Sequence, residues 1–301
     1  MEALANLNGE RMPLSEVKVP ALDRGFLFGD AVYEVLRVYQ GRAWLLEAHL
    51  RRLARSLEAI CIRGIDLERL RRRLLETIAA GPFAEALAYI QITRGAAPRA
   101  HAFPAQATPL EFLYVAEFYD PYAEARRTGG AALTQPDVRW DRCDIKSTNL
   151  LANVLAMQAA KEAGGVEALL YLPDGTLTEG THTSFFGVLD EAVLTAPQSN
   201  AILPGITRGL LLRLAADAGV PVREKVLKRS DLGRVSELFL TGTTSEVLPI
   251  VRVDDQPVGD GRPGPITRRL QEAYALAVRD FVAGKPEPYG DGGWSAAPPG
   301  G

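Results

Sequence analysis

Strand-like alternation runs through both halves of this chain and stops once, at residues 119–130, where Tyr119-Asp120-Pro121 makes a turn and a charged stretch leads on to Gly130. Patterned sequence on both sides of one such break, in 301 residues, predicts two domains. In the first half Asn8-Gly9 signals a type I′ hairpin, and residues 32–39 and 43–46 around Gly41 read as a strand pair. Leu50, Leu53, Ala54, Leu57 and Ile60 keep helical spacing over 47–60, Asp66 caps a second helix running to about residue 80, and strands follow at 86–93 and 110–118. The second half places strands near 131–135, 168–172, 184–189, 220–226, 237–241 and 247–253, with helices at about 148–163, 207–218 and 265–282. Strand runs broken by helices without a regular strand–helix–strand rhythm make this an α+β chain rather than one doubly wound sheet. The expected division is 1–119, a linker at 120–130, a larger domain at 131–285, and a Gly- and Pro-rich tail at 286–301 too poor in apolar residues to order.

Charge and composition narrow the function. Thirty-four Lys plus Arg against 37 Asp plus Glu leave a net charge of −3, which gives no general attraction for nucleic acid or an anionic membrane. No window approaches the ~18 apolar residues of a membrane helix. The start, Met1-Glu2-Ala3, has no basic stretch followed by an apolar run, so a cytoplasmic protein with small-molecule partners is expected. Cys61 and Cys143 are too few for a disulfide framework and fit a reducing compartment. His49, His101 and His182 lie in no metal-ligand motif, so no metal is expected, and His49 reads as a helix residue facing solvent or a local partner. No Gly-x-Ser-x-Gly turn supports a serine hydrolase.

Lysine is scarce: Lys18, Lys146, Lys161, Lys225, Lys228 and Lys285 are all there are. Five lie in charged, turn or tail sequence. Lys146, in Asp144-Ile145-Lys146-Ser147-Thr148-Asn149, precedes a helix with the apolar pairs Leu150-Leu151 and Val154-Leu155. An amine where a buried helix starts would lose ammonium character through desolvation and the helix dipole, as Schiff-base chemistry requires. On that ground alone a solvated surface lysine remains the commoner reading.

Three further segments change the balance. Leu177-Thr178-Glu179-Gly180-Thr181 offers a carboxylate, and Ile202-Leu203-Pro204-Gly205-Ile206-Thr207-Arg208 is a Gly turn opening a helix. In the latter, the amides of Ile206 and Thr207 with the Thr207 hydroxyl can cradle a phosphate. Thr241-Gly242-Thr243-Thr244-Ser245 supplies a second cluster of hydroxyls and amides at a strand end. Each segment alone is an ordinary cap or turn. A lysine, a carboxylate and two phosphate-cradling turns together are the parts that pyridoxal phosphate needs.

With these segments in place, and with Asp23-Arg24-Gly25, Phe28-Gly29-Asp30-Ala31-Val32-Tyr33-Glu34 and Thr93-Arg94-Gly95-Ala96-Ala97-Pro98-Arg99-Ala100-His101-Ala102-Phe103-Pro104, the chain resembles the class IV pyridoxal-phosphate-dependent aminotransferases from about residue 3 to residue 280. Within them it is most similar to the D-amino acid aminotransferases. The resemblance implies the two-domain α+β fold of fold type IV enzymes, pyridoxal 5′-phosphate as cofactor, a homodimer, and transamination between D-amino acids such as D-alanine or D-glutamate and 2-oxo acids such as 2-oxoglutarate.

Residue by residue, the resemblance implies that Lys146 holds the cofactor covalently and shuttles the proton at the substrate Cα. Glu179 sits beside the pyridine nitrogen, Leu203 packs beneath the ring, and Arg52, Ile206, Thr207 and Thr243 hold the phosphate. Arg99 and His101, two apart in a Pro-led loop so that an extended backbone points both the same way, bind the substrate carboxylate with Tyr33 and reach in from the neighbouring subunit. His182 and Ser184 replace a small hydroxyl residue and an Asn of the family signature, and Gly242 lacks a hydroxyl often found near the phosphate. The rivals are an (R)-selective amine transaminase, a lyase acting on aminodeoxychorismate, a non-catalytic relative, and a branched-chain L-amino acid aminotransferase. This last usually carries a tyrosine five residues after the lysine, where this chain has Leu151.

Overall fold

In the computed structural model, which describes residues 2–288, the chain divides into two compact units. The first comprises the residues up to Tyr119 together with Ile145–Asn149, and the second comprises Asp120–Asp144 and the residues from Leu150 onward. Residues 120–130, expected as a linker, lie in the second unit and contain a helix. Lys146, expected in the C-terminal domain, lies in the first. Residues 289–301 of the expected tail are outside the described residues.

The first unit is built from β1 (Leu4–Leu7), β2 (Glu10–Pro13), α1 (Arg24–Phe28), β3 (Ala31–Tyr39), β4 (Arg42–Ala43), α2 (Leu46–Ala59), α3 (Leu67–Ala80), β5 (Ala86–Thr93) and β6 (Leu110–Glu117). Its sheet runs β2-β1-β6-β5-β3-β4, antiparallel throughout. Asn8 and Gly9 both take positive φ, 53° and 102°, as a type I′ turn requires. The strand expected at 43–46 ends at Ala43, because Leu46 already opens α2. On β3, Val32, Leu36 and Val38 share the inward face with Leu53 and Leu57 of α2, Leu70 and Leu74 of α3, and Ile90 and Leu113 of the neighbouring strands. By the same period of two Glu34 also points into that core, and Tyr33 to the opposite face.

The second unit contains α4 (Ala123–Thr128), β7 (Gly130–Pro136), α5 (Leu151–Glu162), β8 (Glu167–Tyr171), β9 (Leu177–Gly180), β10 (Ser184–Leu189), β11 (Ala192–Thr195), α6 (Ile206–Asp217), β12 (Val222–Glu224), β13 (Glu237–Gly242), β14 (Glu246–Val253), β15 (Gln256–Pro257) and α7 (Pro265–Val282). Its mixed sheet runs β12-β11-β10-β13-β14-β7-β8-β9, with β15 added on β14. β7 and β8 are parallel neighbours, so the chain between them must cross over, and it does so through α5. α5 is not the buried helix that its apolar pairs suggested: Leu151, Val154 and Leu155 are exposed and only Ala160 is buried. Apolar spacing marks a face able to be covered; it does not by itself supply the cover within the chain.

The mouth of α7 illustrates how tightly the strand ends hold the helices. Glu237, buried at the start of β13, accepts from the amides of Ile266 (3.0 Å) and Thr267 (2.7 Å) and from the Thr267 hydroxyl (2.6 Å), satisfying donors that a helix start leaves unpaired. Pro265, without an amide proton, occupies the first turn beside it. A Cβ on Gly264 would stand 2.1 Å from the Glu237 carboxyl carbon. Gly264→Ala should therefore destabilise the fold by about 1–3 kcal/mol, the range for adding volume to a packed site. A lowered urea midpoint with unchanged m-value is the expected result, and an unchanged midpoint would mean that the carboxylate shifts aside without loss.

Candidate active site

Two groups of chemistry-bearing side chains stand out, one in each unit. In the first unit Lys146 lies between elements rather than at a helix start, in a tight turn where the Ser147 amide donates back to the Ile145 carbonyl (2.8 Å); α5 begins only at Leu151. Ser147 bridges Val32, the Lys146 carbonyl accepts from the Tyr33 amide (3.0 Å), and the Thr148 amide donates to Ala31 (3.1 Å). Ile145 joins the apolar core and the Lys146 amide donates to Ser56 Oγ on α2 (3.2 Å). The lysine is thus fixed by β3 and α2, and its half-buried Nζ stands 4.2 Å from the centroid of the Tyr33 ring.

Beneath this segment the buried Glu34 is held by Arg52 through Nε and Nη2 at 2.7 Å each and by His49 Nδ1 at 2.7 Å. Burial opposes ionisation of Glu34, but the Arg52 guanidinium and the His49 hydrogen bond override it and bring its pKa down to about 2. His49 is therefore neither solvated nor idle: it is buried, and desolvation, with the charges of Arg52 and Lys146 nearby, holds its pKa below the usual imidazole value. A neutral ring donating Nδ1–H to the carboxylate meets both constraints. Arg52, expected on a phosphate, has two of its nitrogens committed to Glu34.

Arg99 and His101 are exposed, and both contact the ring of Phe28. The Arg99 guanidinium lies 5.1 Å from the centroid of the Phe28 ring, and the His101 ring meets that same ring edge-on at 5.7 Å.

The second unit holds Glu179 buried on β9, a strand the sequence pattern missed because all four of its residues are buried and none alternates. It accepts from the Leu203 amide at 3.1 and 3.0 Å and from Arg139 at 2.5 Å. Arg139, which sequence reasoning passed over, also forks onto Asp137 at 2.9 and 2.8 Å. Burial raises the Glu179 pKa to about 7, with Arg139 offsetting only part of the penalty because it is shared with Asp137.

Nearby, Ser184 is in register with Thr241, and a Cβ on Gly205 would lie 2.5 Å from Ser184 Oγ. The turn opening α6 and the 241–245 turn therefore flank one residue. Ile206 and Thr207 are buried at the start of α6, where Gly205 contributes no capping side chain, while Leu203 and Thr243 are half-buried. Thr241 Oγ1 and Ser245 Oγ are buried with no hydrogen-bond partner among the described residues. Such hydroxyls cost about 1–3 kcal/mol each when left unpaired. Two orphaned donors beside a helix N-terminus fit the oxygens of a phosphate, and so fit the cofactor that the sequence led us to expect. Among the departures, His182 hydrogen-bonds Tyr122 at 3.0 Å and lies 3.0 Å from the buried Glu167, and Gly242 leaves room for Ser245, whose Oγ would meet an added Cβ at 2.7 Å.

The profile of the family described as amino-transferase class IV matches residues 31–253. A D-alanine aminotransferase of Bacillus licheniformis is 40% identical over 280 residues, covering 92% of this chain and 97% of its own. Among solved structures, the branched-chain amino acid aminotransferase of Escherichia coli superposes with a TM-score of 0.86 at 26% identity, covering 92% of this chain and 94% of that one. A T.th. branched-chain amino acid aminotransferase solved with pyridoxamine 5′-phosphate superposes with a TM-score of 0.84 at 26% identity, covering 92% and 94%.

The position of Glu179 makes a pH test possible on protein stripped of cofactor. Its pKa, about 7 in the fold against an ordinary value of 4.5, means that the folded state favours the protonated form. That preference is fully present below 4.5 and is lost as pH rises through 7, so the wild type should lose stability across this window relative to Glu179→Gln. The loss should be roughly 3 kcal/mol at ~1.36 kcal/mol per pH unit. Parallel pH–stability curves for the two proteins would show that Arg139 compensates the burial in full.

Proposed function

The chain belongs to the class IV amino-transferase family, and from that premise we propose that it moves the amino group of D-amino acids such as D-alanine and D-glutamate to 2-oxo acids such as 2-oxoglutarate. The observation that carries the reading is the convergence of Arg99 and His101 on Phe28, since a guanidinium and an imidazole presented together are a carboxylate-binding pair. Pyridoxal 5′-phosphate is the cofactor, and when bound it supplies an electron-withdrawing ring that accepts the electrons of the substrate Cα–H bond.

The residues of the chain do the rest. Lys146 would hold the cofactor through Nζ until the substrate amine takes its place, and the amine so freed would be the base that takes and returns the Cα proton. Tyr33, with its ring 4.2 Å from Nζ, confines that amine and helps to receive the substrate carboxylate. Glu179 pairs with the ring nitrogen, where its negative charge would keep that nitrogen protonated. The amides of Ile206 and Thr207, the hydroxyl of Thr243 and the guanidinium of Arg52, oriented by Glu34, hold the phosphate, and Leu203 packs against the ring. Arg99 and His101 serve the site of a partner subunit, which makes the working enzyme a homodimer. A cytoplasmic setting suits its two free cysteines, Cys61 and Cys143.

Borohydride reduction of the holoenzyme followed by peptide mapping should label Lys146, and a label on another lysine would overturn its assignment. D-alanine should react and L-alanine should not: with the base fixed on one side, fixing the carboxylate decides which Cα hydrogen it reaches. Reaction with branched-chain L-amino acids instead would favour the rival suggested by the solved-structure likenesses, although Leu151 stands where those enzymes usually carry tyrosine.

Arg99→Ala should cost about 2–5 kcal/mol in kcat/KM for D-alanine, the usual penalty for truncating one partner of a desolvated charge pair. At ~1.36 kcal/mol per decade that is roughly 30-fold or more. An aromatic (R)-amine, which has no carboxylate to lose, is the control; an equal loss on it would assign Arg99 to the fold.

A further inference from the structure

The loop that carries Arg99 and His101, between β5 and β6, is anchored by a pair of buried arginines to which no role in the reaction has been given. At its base the Arg94 amide donates to Asp30 (3.1 Å), the Arg24 amide to Gly95 (3.0 Å) and the Ala97 amide to Leu22 (3.2 Å). Gly95 has φ of +95°, and a Cβ there would stand 2.0 Å from the Thr108 carbonyl oxygen, so the two ends of the loop nearly touch. Asp30 is gripped by both arginines: Arg94 forks onto it at 2.7 and 2.9 Å, and Arg24 Nε reaches it at 2.8 Å. Arg94 spends its remaining donors on the carbonyls of Cys61 (3.1 Å) and Ile60 (2.6 Å).

Arg24 turns the other way. Its Nη1 donates to the carbonyls of Ala100 (2.6 Å) and Ala102 (3.4 Å), and its Nη2 to that of His101 (3.3 Å). Three successive carbonyls are thus gathered on one planar group that is itself 3% exposed and held by a carboxylate. The same guanidinium lies 4.8 Å from the centroid of Phe28, the ring on which Arg99 and His101 meet.

We propose that Arg24 is a positioning residue for capture of the substrate carboxylate: by gathering the carbonyls of Ala100, His101 and Ala102 it fixes the backbone from which Arg99 and His101 are presented together. The proposal rests on the reading that these two side chains bind that carboxylate. Arg24 touches no substrate. Its effect is conformational: without it three carbonyls turn to water, and each capture must first order the residues that carry the pair. A lysine keeps the charge opposite Asp30 but cannot span the carboxylate and three carbonyls, because its donors radiate from one atom instead of a planar fork.

The test uses holoenzyme of Arg24→Lys and Arg24→Met in single-turnover half-reactions, with D-alanine and with phenylhydrazine, a carboxylate-free amine that adds to the lysine-held cofactor. Hydrogen exchange of the peptide spanning 96–104 is followed in parallel. Both variants should need about tenfold more D-alanine for half-maximal rate, the effect of losing order in one or two residues. They should react with phenylhydrazine at the wild-type rate and exchange faster at 97–104. Unchanged D-alanine dependence, or an equal loss with phenylhydrazine, would overturn the proposal, and Arg24→Lys decides alone if Arg24→Met does not fold. Arg99→Ala in the same assay separates the two readings. If it weakens D-alanine while the Arg24 variants do not, only the positioning role falls; if it too leaves D-alanine untouched, the carboxylate reading falls first.

Discussion

A carboxylate that points into an apolar core has to be neutralised where it sits, and Glu34 is such a group. The alternation of β3 that buries Val32, Leu36 and Val38 leaves Glu34 no other direction. Its partners, Arg52 and His49, lie one helical turn apart on α2, so the ion pair sets how that helix is rotated against the sheet. The rotation in turn brings Ser56, one turn further along, to the backbone of Lys146. Much of the first unit's chemistry is therefore referenced to one buried charge. Such pairs are weak contributors to net stability but severe when broken, which suits them to fixing one arrangement over its neighbours.

Two of the buried glutamates, Glu34 and Glu179, are driven in opposite directions by the same physics. Glu34 receives a bidentate guanidinium and an imidazole, and stays ionised. Glu179 shares its arginine with Asp137, so burial wins and its proton affinity rises into the neutral range. Both are desolvated; only the division of positive charge differs. The same residue type is thus held toward its ionised form in one place and toward its protonated form in the other.

How much of this could be read beforehand follows from which signals are local. The Asn8-Gly9 turn, the Asp66 cap and the extents of β10 and α7 depend on neighbours in sequence and were legible. Lys146, Glu179 and the 202–208 turn were legible as motifs. Arg139 was not, because an Asp-x-Arg pair in a polar loop looks like an exposed ion pair until the fold brings Glu179 to it. His49 looked like a helix surface residue because its partner, Glu34, lies on another element. The apolar residues of α5 misled for the converse reason: their spacing is local, whereas what covers them is not.

The chain leaves the first unit after Tyr119, returns to it for Ile145–Asn149 and leaves again, so the strip bearing Lys146 is lent to one unit from within the crossover of the other. No single cut of the polypeptide separates the two units: a cut after Asn149 keeps Asp120–Asp144 of the second with the first, and a cut after Tyr119 leaves Ile145–Asn149 of the first with the second. Shuffling between relatives at one junction therefore either leaves the lysine of the first unit behind, if the junction follows Tyr119, or carries a strip of the second unit along, if it follows Asn149.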